Sequence, residues 1–211
     1  MQGVFFSLAL ILSSLLVNPV QSAEFKKGQH YNQLQQPISS KSEVIEFFSF
    51  YCPACYRQES VMKTIKQSLP KHVPFVKNHV DGMPGRNVTD EQRLTRALIA
   101  ANKLEVSEKV VPAIFEGIHQ SRKKAFSDDE IKALFVEAGI AADKFDKTIN
   151  SFAIKAHTKK MQKNTVAIRS LGYSGVPTLV IHGKYVPNIK ALKSFEEYVE
   201  LVVFLANKKT D

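Results

Sequence analysis

The chain holds two cysteines in 211 residues, Cys52 and Cys55, and both stand at the end of a nearly continuous apolar run, 44–51. A run of that length and composition suits a strand in the middle of a sheet covered on both faces. The segment Cys52-Pro53-Ala54-Cys55 then opens a helix, because Pro is favoured in a first helical turn. A buried strand passing directly into a helix restricts the chain to an α/β architecture. A bridge between these cysteines closes a loop of four residues and constrains the unfolded chain very little. An exported chain that uses cysteine for stability closes long loops instead. The pair therefore points to chemistry rather than to stapling.

Beyond the motif, Cys55, Met62, Ile65 and Leu69 recur at helical spacing, and Leu69-Pro70 ends the helix. A second strand is expected over 73–80. Helices follow over 90–103, 107–118, 128–138 and 142–171, with Pro112 bending or restarting its helix. Thr89 with Gln92, Ser127 with Glu130 and Ser194 with Glu197 have capping-box spacing. Gly139 and Gly172 are natural helix stops. The last of the four helices is long enough to be broken or to bridge two lobes. Strands return at 178–181 and 185–186 around a His182-Gly183 turn, before a final helix carrying Phe195, Tyr198, Val199, Val202 and Leu205. The order is strand, strand, helix, strand, a helical block, a hairpin and a helix, the first strand having no residues assigned. The helical block looks inserted into a sheet domain.

The amino-terminal residues bear on the compartment. Gly3 to Val17 is uncharged and mostly apolar, and Asn18-Pro19-Val20-Gln21-Ser22 follows. This reads as a secretory signal cut after Ser22, with a small residue at the cut and Val20 two positions before it. The run is short for a membrane anchor, which needs roughly 20 apolar residues. The expected mature chain, 23–211, is soluble and works in an oxidising compartment. The net charge is +9 with a sequence pI of about 9.5. The basic residues are dispersed, without interleaved aromatics, so a solvated surface is expected and no nucleic-acid partner.

A disulfide exchanger needs one sulfur that attacks and one that resolves. At a helix N-terminus, free N–H groups and the helix dipole favour the Cys52 thiolate. Cys55, one turn on and on the apolar face, is expected to be buried, protonated and resolving. A structural zinc site normally takes four Cys or His ligands, and the six histidines offer no pair at ligand spacing. No metal and no cofactor is expected. Glu46 lies inside the strand that leads to Cys52, and a carboxylate buried there must be protonated or paired. Lys77, in the middle of the second strand, is its natural partner. The pair reads as a proton-transfer device for Cys55, or as a structural ion pair. Phe50, Tyr51 and Tyr56 read either as an apolar rim for clients or as core. His79 reads as a satisfied strand residue. Asn87-Val88-Thr89 matches a glycosylation sequon, a pattern that often arises by chance.

The chain resembles the DsbA family of periplasmic thiol oxidases. The similarity lies in Gln29-His30-Tyr31, Glu46-Phe47-Phe48-Ser49-Phe50, the Cys-Pro-x-Cys motif with Pro53 and Ala54 between the cysteines, Phe115-Glu116-Gly117, Gly175-Val176-Pro177 and Gly183-Lys184-Tyr185. The resemblance implies a thioredoxin-like fold with an inserted α-helical domain, 23–84 and 172–211 forming the first and 85–171 the second. It implies a cis bond at Val176–Pro177, opposite the cysteines, that turns backbone groups toward a client polypeptide. It implies an acidic–basic pair at Glu46 and Lys77. It also implies a periplasmic monomer that oxidises reduced secreted polypeptides and is reoxidised by a DsbB- or DsbI-like membrane quinone reductase. One departure stands out: the best-known members carry His where this chain has Ala54, so a weaker oxidant is expected. The alternatives are a specialised DsbL-like oxidase with few clients, a disulfide isomerase or reductase, and a non-catalytic holdase or copper-binding module.

Overall fold

A computed structural model of the chain describes residues 24–208. The expected signal segment, 1–22, lies outside them. Among the described residues there are five strands and eight α-helices. Strand β1 (Tyr31–Gln33) precedes β2 (Val44–Phe48), helices α1 (Pro53–Arg57) and α2 (Glu59–Ser68), and β3 (Phe75–His79). Five helices follow: α3 (Val88–Lys103), α4 (Ser107–His119), α5 (Asp128–Glu137), α6 (Ala142–Ile149) and α7 (Phe152–Ser170). The chain then closes with β4 (Thr178–Ile181), β5 (Tyr185–Pro187) and α8 (Phe195–Ala206). The sheet order is β1-β5-β4-β2-β3. β2 runs parallel to β3 and antiparallel to β4. This is the expected α/β class, a sheet domain with a helical block between its third and fourth strands.

All five residues of β2 are buried, as its unbroken apolar composition requires. Alternation along the strand divides two cores. Val44 joins Met62 and Ile65 of α2 with Leu201 and Leu205 of α8. Ile45 and Phe47 join Val180, Val186 and Ile168 of α7. The third and largest cluster ties the helical block to the outgoing end of β2: Phe48, Phe50, Tyr51 and both cysteines pack with Leu98, Ile114, Phe115 and Phe135. Burying a side chain such as Phe50 contributes about 1.5–3 kcal/mol, so this cluster fixes the cysteine turn against the helices.

Several local expectations are revised. The helix after the cysteines is two helices, stepped at Gln58 (φ −93°, ψ 2°). Gln58 is neither Pro nor Gly, and no local chemistry announces the step. The 142–171 segment is broken at Asn150-Ser151, where the Ser151 side chain caps α7 by accepting from the Ile154 amide. α3 starts at Val88 and is capped by Asn87, two residues ahead of the expected Thr89, because Asn87 Oδ1 accepts from the amides of Thr89 and Asp90; Asn is among the strongest N-caps. The Ser127–Glu130 capping box is present with both reciprocal bonds. α4 runs unbroken through Pro112. The hairpin turn has φ of 52° at His182 and 65° at Gly183, the type I′ signature. A Cβ on Gly183 would meet the Ser39 carbonyl oxygen at 2.1 Å, so this position admits only glycine.

Candidate active site

β2 delivers its chain to the cysteine turn through two buried bonds. The Cys52 amide donates to the Ser49 carbonyl at 3.0 Å, and the Tyr51 amide donates to Ser49 Oγ at 3.2 Å. Cys52 is the N-cap of α1, in extended conformation, with Pro53 following. The Cys55 amide donates to Cys52 Sγ at 3.3 Å. Both cysteines are free thiols. Both cysteines are buried, Cys52 keeping 7% of its surface exposed and Cys55 none.

The two sulfurs are strongly differentiated. The hydrogen bond from the Cys55 thiol lowers the Cys52 pKa from 9.0 to about 6; the amides of Cys55 and Ala54 and the Arg57 charge add to this against the cost of burial. The same bond, with burial, pushes the Cys55 thiol far up. The first proton lost by the pair therefore comes from Cys52.

Across the sulfur lies the start of β4. The Val176–Pro177 peptide is cis, and in its thiol form Cys52 donates to the Val176 carbonyl at 3.4 Å. Val176 packs against two of the three cores. Thr178 Oγ1 donates to the Gly175 carbonyl at 2.8 Å and closes the turn.

Beneath the turn, Glu46 is fully buried and faces Lys77 in the parallel register. Lys77 Nζ donates to Glu46 Oε2 at 2.7 Å and to Glu59 Oε1 at 2.6 Å. Glu46 Oε1 has no partner. Burial raises the Glu46 pKa, opposed by Lys77. Burial also works against the Lys77 charge, but the two carboxylates, Glu46 first, more than offset it and hold the ammonium above the ordinary lysine range.

Two contributors escape a reading of the sequence. Glu59, the first residue of α2, meets Lys77 of β3 across the fold. His119, at the end of α4, donates from Nε2 to the Phe50 carbonyl at 2.8 Å and stacks on Tyr56 at 4.9 Å with 6° between the rings. Gln120 hydrogen-bonds the Tyr56 hydroxyl. No spacing in sequence joins residues 50, 56 and 119. Phe50 and Tyr51 are buried in the core, whereas Tyr56 is half-buried. His79 is enclosed by Phe48 and Phe50 and bonded to Thr95 Oγ1 at 2.8 Å, so it holds β3 to α3. Among the described residues no group of three or more His, Cys, Asp or Glu side chains could hold a metal ion.

An exchangeable dithiol with one lowered and one raised sulfur, facing a cis-proline turn, has close parallels among known proteins. Residues 43–200 match the model of the DSBA-like thioredoxin domain. The thiol:disulfide interchange protein DsbA of Pectobacterium carotovorum is 32% identical over 99% of this chain and 100% of its own length. The structure of Proteus mirabilis DsbA, a Cys-to-Ser variant with a non-covalently bound peptide PWATCDS, superposes with a TM-score of 0.76 at 30% identity, covering 88% of this chain and all of that one. The Salmonella enterica DsbL structure superposes with a TM-score of 0.69 at 26% identity, over 89% and 100%. The chain belongs to the DSBA-like thioredoxin domain family and is a thiol:disulfide oxidoreductase of thioredoxin-like fold.

Proposed function

We propose that the chain is an exported dithiol oxidase that donates a Cys52–Cys55 disulfide to folding secreted polypeptides. The observation that carries this reading is the inequality of the two sulfurs: Cys52 lowered to about 6 at a helix start, Cys55 buried and pushed up. A stable Cys52 thiolate makes the reduced protein the favoured product, so the disulfide form accepts electrons from clients. A client thiolate attacks Cys52 Sγ. The Cys52–Cys55 bond breaks, and its electron pair goes to the Cys55 sulfur, which takes a proton. The client's second thiolate then attacks the client sulfur of the mixed disulfide and expels Cys52 as a thiolate. The client leaves oxidised and the enzyme remains as the dithiol.

Glu46, whose hold on a proton is strengthened by burial, supplies the proton to Cys55 and recovers it during reoxidation, while Lys77 holds the carboxyl in place. Pro53 sets the helix start that steers the amides onto Cys52. The Val176 backbone, turned outward by the cis bond to Pro177, pairs a client segment as an added strand. The cycle closes in the periplasm through a DsbB- or DsbI-like membrane quinone reductase. Among the described residues no helix is long and apolar enough to cross a membrane.

Replacing Cys55 with Ala removes the resolving sulfur and should accumulate mixed disulfides. Mass spectrometry should find clients joined through Cys52; an absence of adducts contradicts the assignment. A specialised oxidase of the DsbL type is the second reading, favoured by Ala54 and the net charge of +9. A short client list in the same experiment supports it, and a broad one the general oxidase.

A further inference from the structure

The loop whose arginine lies over Tyr51 is held by several hydrogen bonds and, among the described residues, presents a cation outside any ion pair. Its sequence, Met83-Pro84-Gly85-Arg86, closes with the Arg86 amide donating to the Met83 carbonyl at 3.1 Å, and Gly85 has φ of 72°. Pro second, Gly third at positive φ and this closing bond are the requirements of a type II turn. The preceding residues are pinned separately: the fully buried Glu91 carboxylate accepts from the amides of Gly82 at 2.6 Å and Met83 at 3.0 Å. Met83 packs against the same two cores as Val176. From this fixed base the Arg86 guanidinium lies 4.5 Å from the Tyr51 ring centroid, and Tyr51 is the residue before Cys52. Arg57 is the last residue of α1, the short helix that Cys52 caps, and its charge acts on Cys52.

Arg57 and Arg86 are both exposed, and among the described residues neither takes part in an ion pair. The nearby acids have other work. Glu91 is spent on loop amides, Asp90 pairs with Arg93 at 2.6 Å, and Asp81 accepts from Thr95 at 2.7 Å. A client cysteine brought to Cys52 therefore passes two uncompensated guanidinium groups, which pair readily with carboxylates.

We propose that Arg57 and Arg86 form a cationic rim about Cys52 that selects client segments carrying Asp or Glu beside the reacting cysteine. The proposal rests on Cys52 being the attacked sulfur. In the selected step the client thiolate bonds to Cys52 Sγ and Cys55 departs with the electron pair, as above. The rim draws in the client's negative charges and holds them near the three-sulfur transition state, so it acts on rate more than on equilibrium.

The test uses the oxidised protein and two-cysteine peptides that differ only in having Glu, Gln or Lys next to the first cysteine. At low ionic strength the Glu peptide should be oxidised about tenfold faster than the Lys peptide, and the ratio should collapse toward one in 1 M salt. The double variant Arg57→Gln/Arg86→Gln should lose the ratio at low salt, and Arg57→Lys/Arg86→Lys should keep most of it. Using the ratio cancels any change in Cys52 acidity. In the reduced protein, the ratio of alkylation by anionic iodoacetate to that by neutral iodoacetamide at Cys52 should fall severalfold in the same Gln variant. This second readout needs no oxidase activity, so a failure of the rim and a failure of the oxidase reading are distinguishable. Equal rates for the three peptides, or ratios that the Gln variant leaves unchanged, overturn the proposal.

Discussion

Glu46 and Lys77 stand opposite each other on parallel neighbouring strands, joined at 2.7 Å, while the same ammonium holds Glu59 at 2.6 Å. One cation thus serves two carboxylates directly below the cysteine turn. Glu46→Gln keeps the shape and removes the titratable proton. It should slow mixed-disulfide formation and release by tenfold or more, toward the low end of general acid–base effects of about 10²-fold, without lowering stability. Stopped-flow exchange and urea unfolding measure the two quantities; unchanged kinetics assign the pair a structural role only.

Lys77→Met leaves the buried Glu46 without a cation. Removing one partner of a buried ion pair costs about 3–5 kcal/mol. Because burial raises the Glu46 pKa, the folded protein tolerates the neutral carboxyl best. The deficit should therefore be small in acid and grow as pH rises through the Glu46 titration. Urea unfolding of the variant at pH 4 and pH 7 checks the direction.

The lowered Cys52 pKa makes the reduced protein's stability depend on pH. Its folded value, about 6, lies below the unfolded value near 9, so the stabilisation is fully present above pH 9 and disappears as pH falls through 6. The oxidised protein has no such group. The difference in unfolding free energy, reduced minus oxidised, should rise between pH 6 and pH 9. A difference that stays flat over this interval contradicts the assignment.

Ala54 offers Cys52 a backbone amide but no side-chain charge or donor. Ala54→His places an imidazole that can donate a hydrogen bond or carry positive charge next to the sulfur, and such a neighbour favours the thiolate. The variant's thiolate absorbance midpoint should fall below 6, and its equilibrium with glutathione should shift to the oxidising side by about tenfold for each pH unit of that fall.

His119 gives the fully buried Phe50 its carbonyl partner. His119→Leu leaves that carbonyl unpaired and should cost about 1–3 kcal/mol, whereas His119→Gln can retain a donor and recover part of it. Thermal unfolding of the two variants, with the Cys52 midpoint in each, separates a loss of stability from a displaced cysteine turn.

The parts of this protein that are legible in its sequence are those governed by local chemistry. The apolar run ending at Tyr51, the Pro of the cysteine turn, the His182-Gly183 hairpin and the Ser127–Glu130 box each carry their own signal. Glu46 and Lys77 could be paired on paper because a buried carboxylate demands a partner and the second strand supplies one cation. Short β1 has no signal of its own, since three residues held by pairing with β5 carry no periodicity. The Asn87 cap hid within a sequon. Glu59 at Lys77 and His119 at Phe50 depend on a helix step and on the packing of α4, which are properties of the assembled fold.

The most direct measurement is competitive alkylation of the reduced protein across pH 4 to 10, with the two cysteines resolved by mass spectrometry. Cys52 should be modified alone, with a midpoint near 6, and Cys55 should stay protected until the protein unfolds. Modification of Cys55 first, or a Cys52 midpoint near that of a free thiol, contradicts the account.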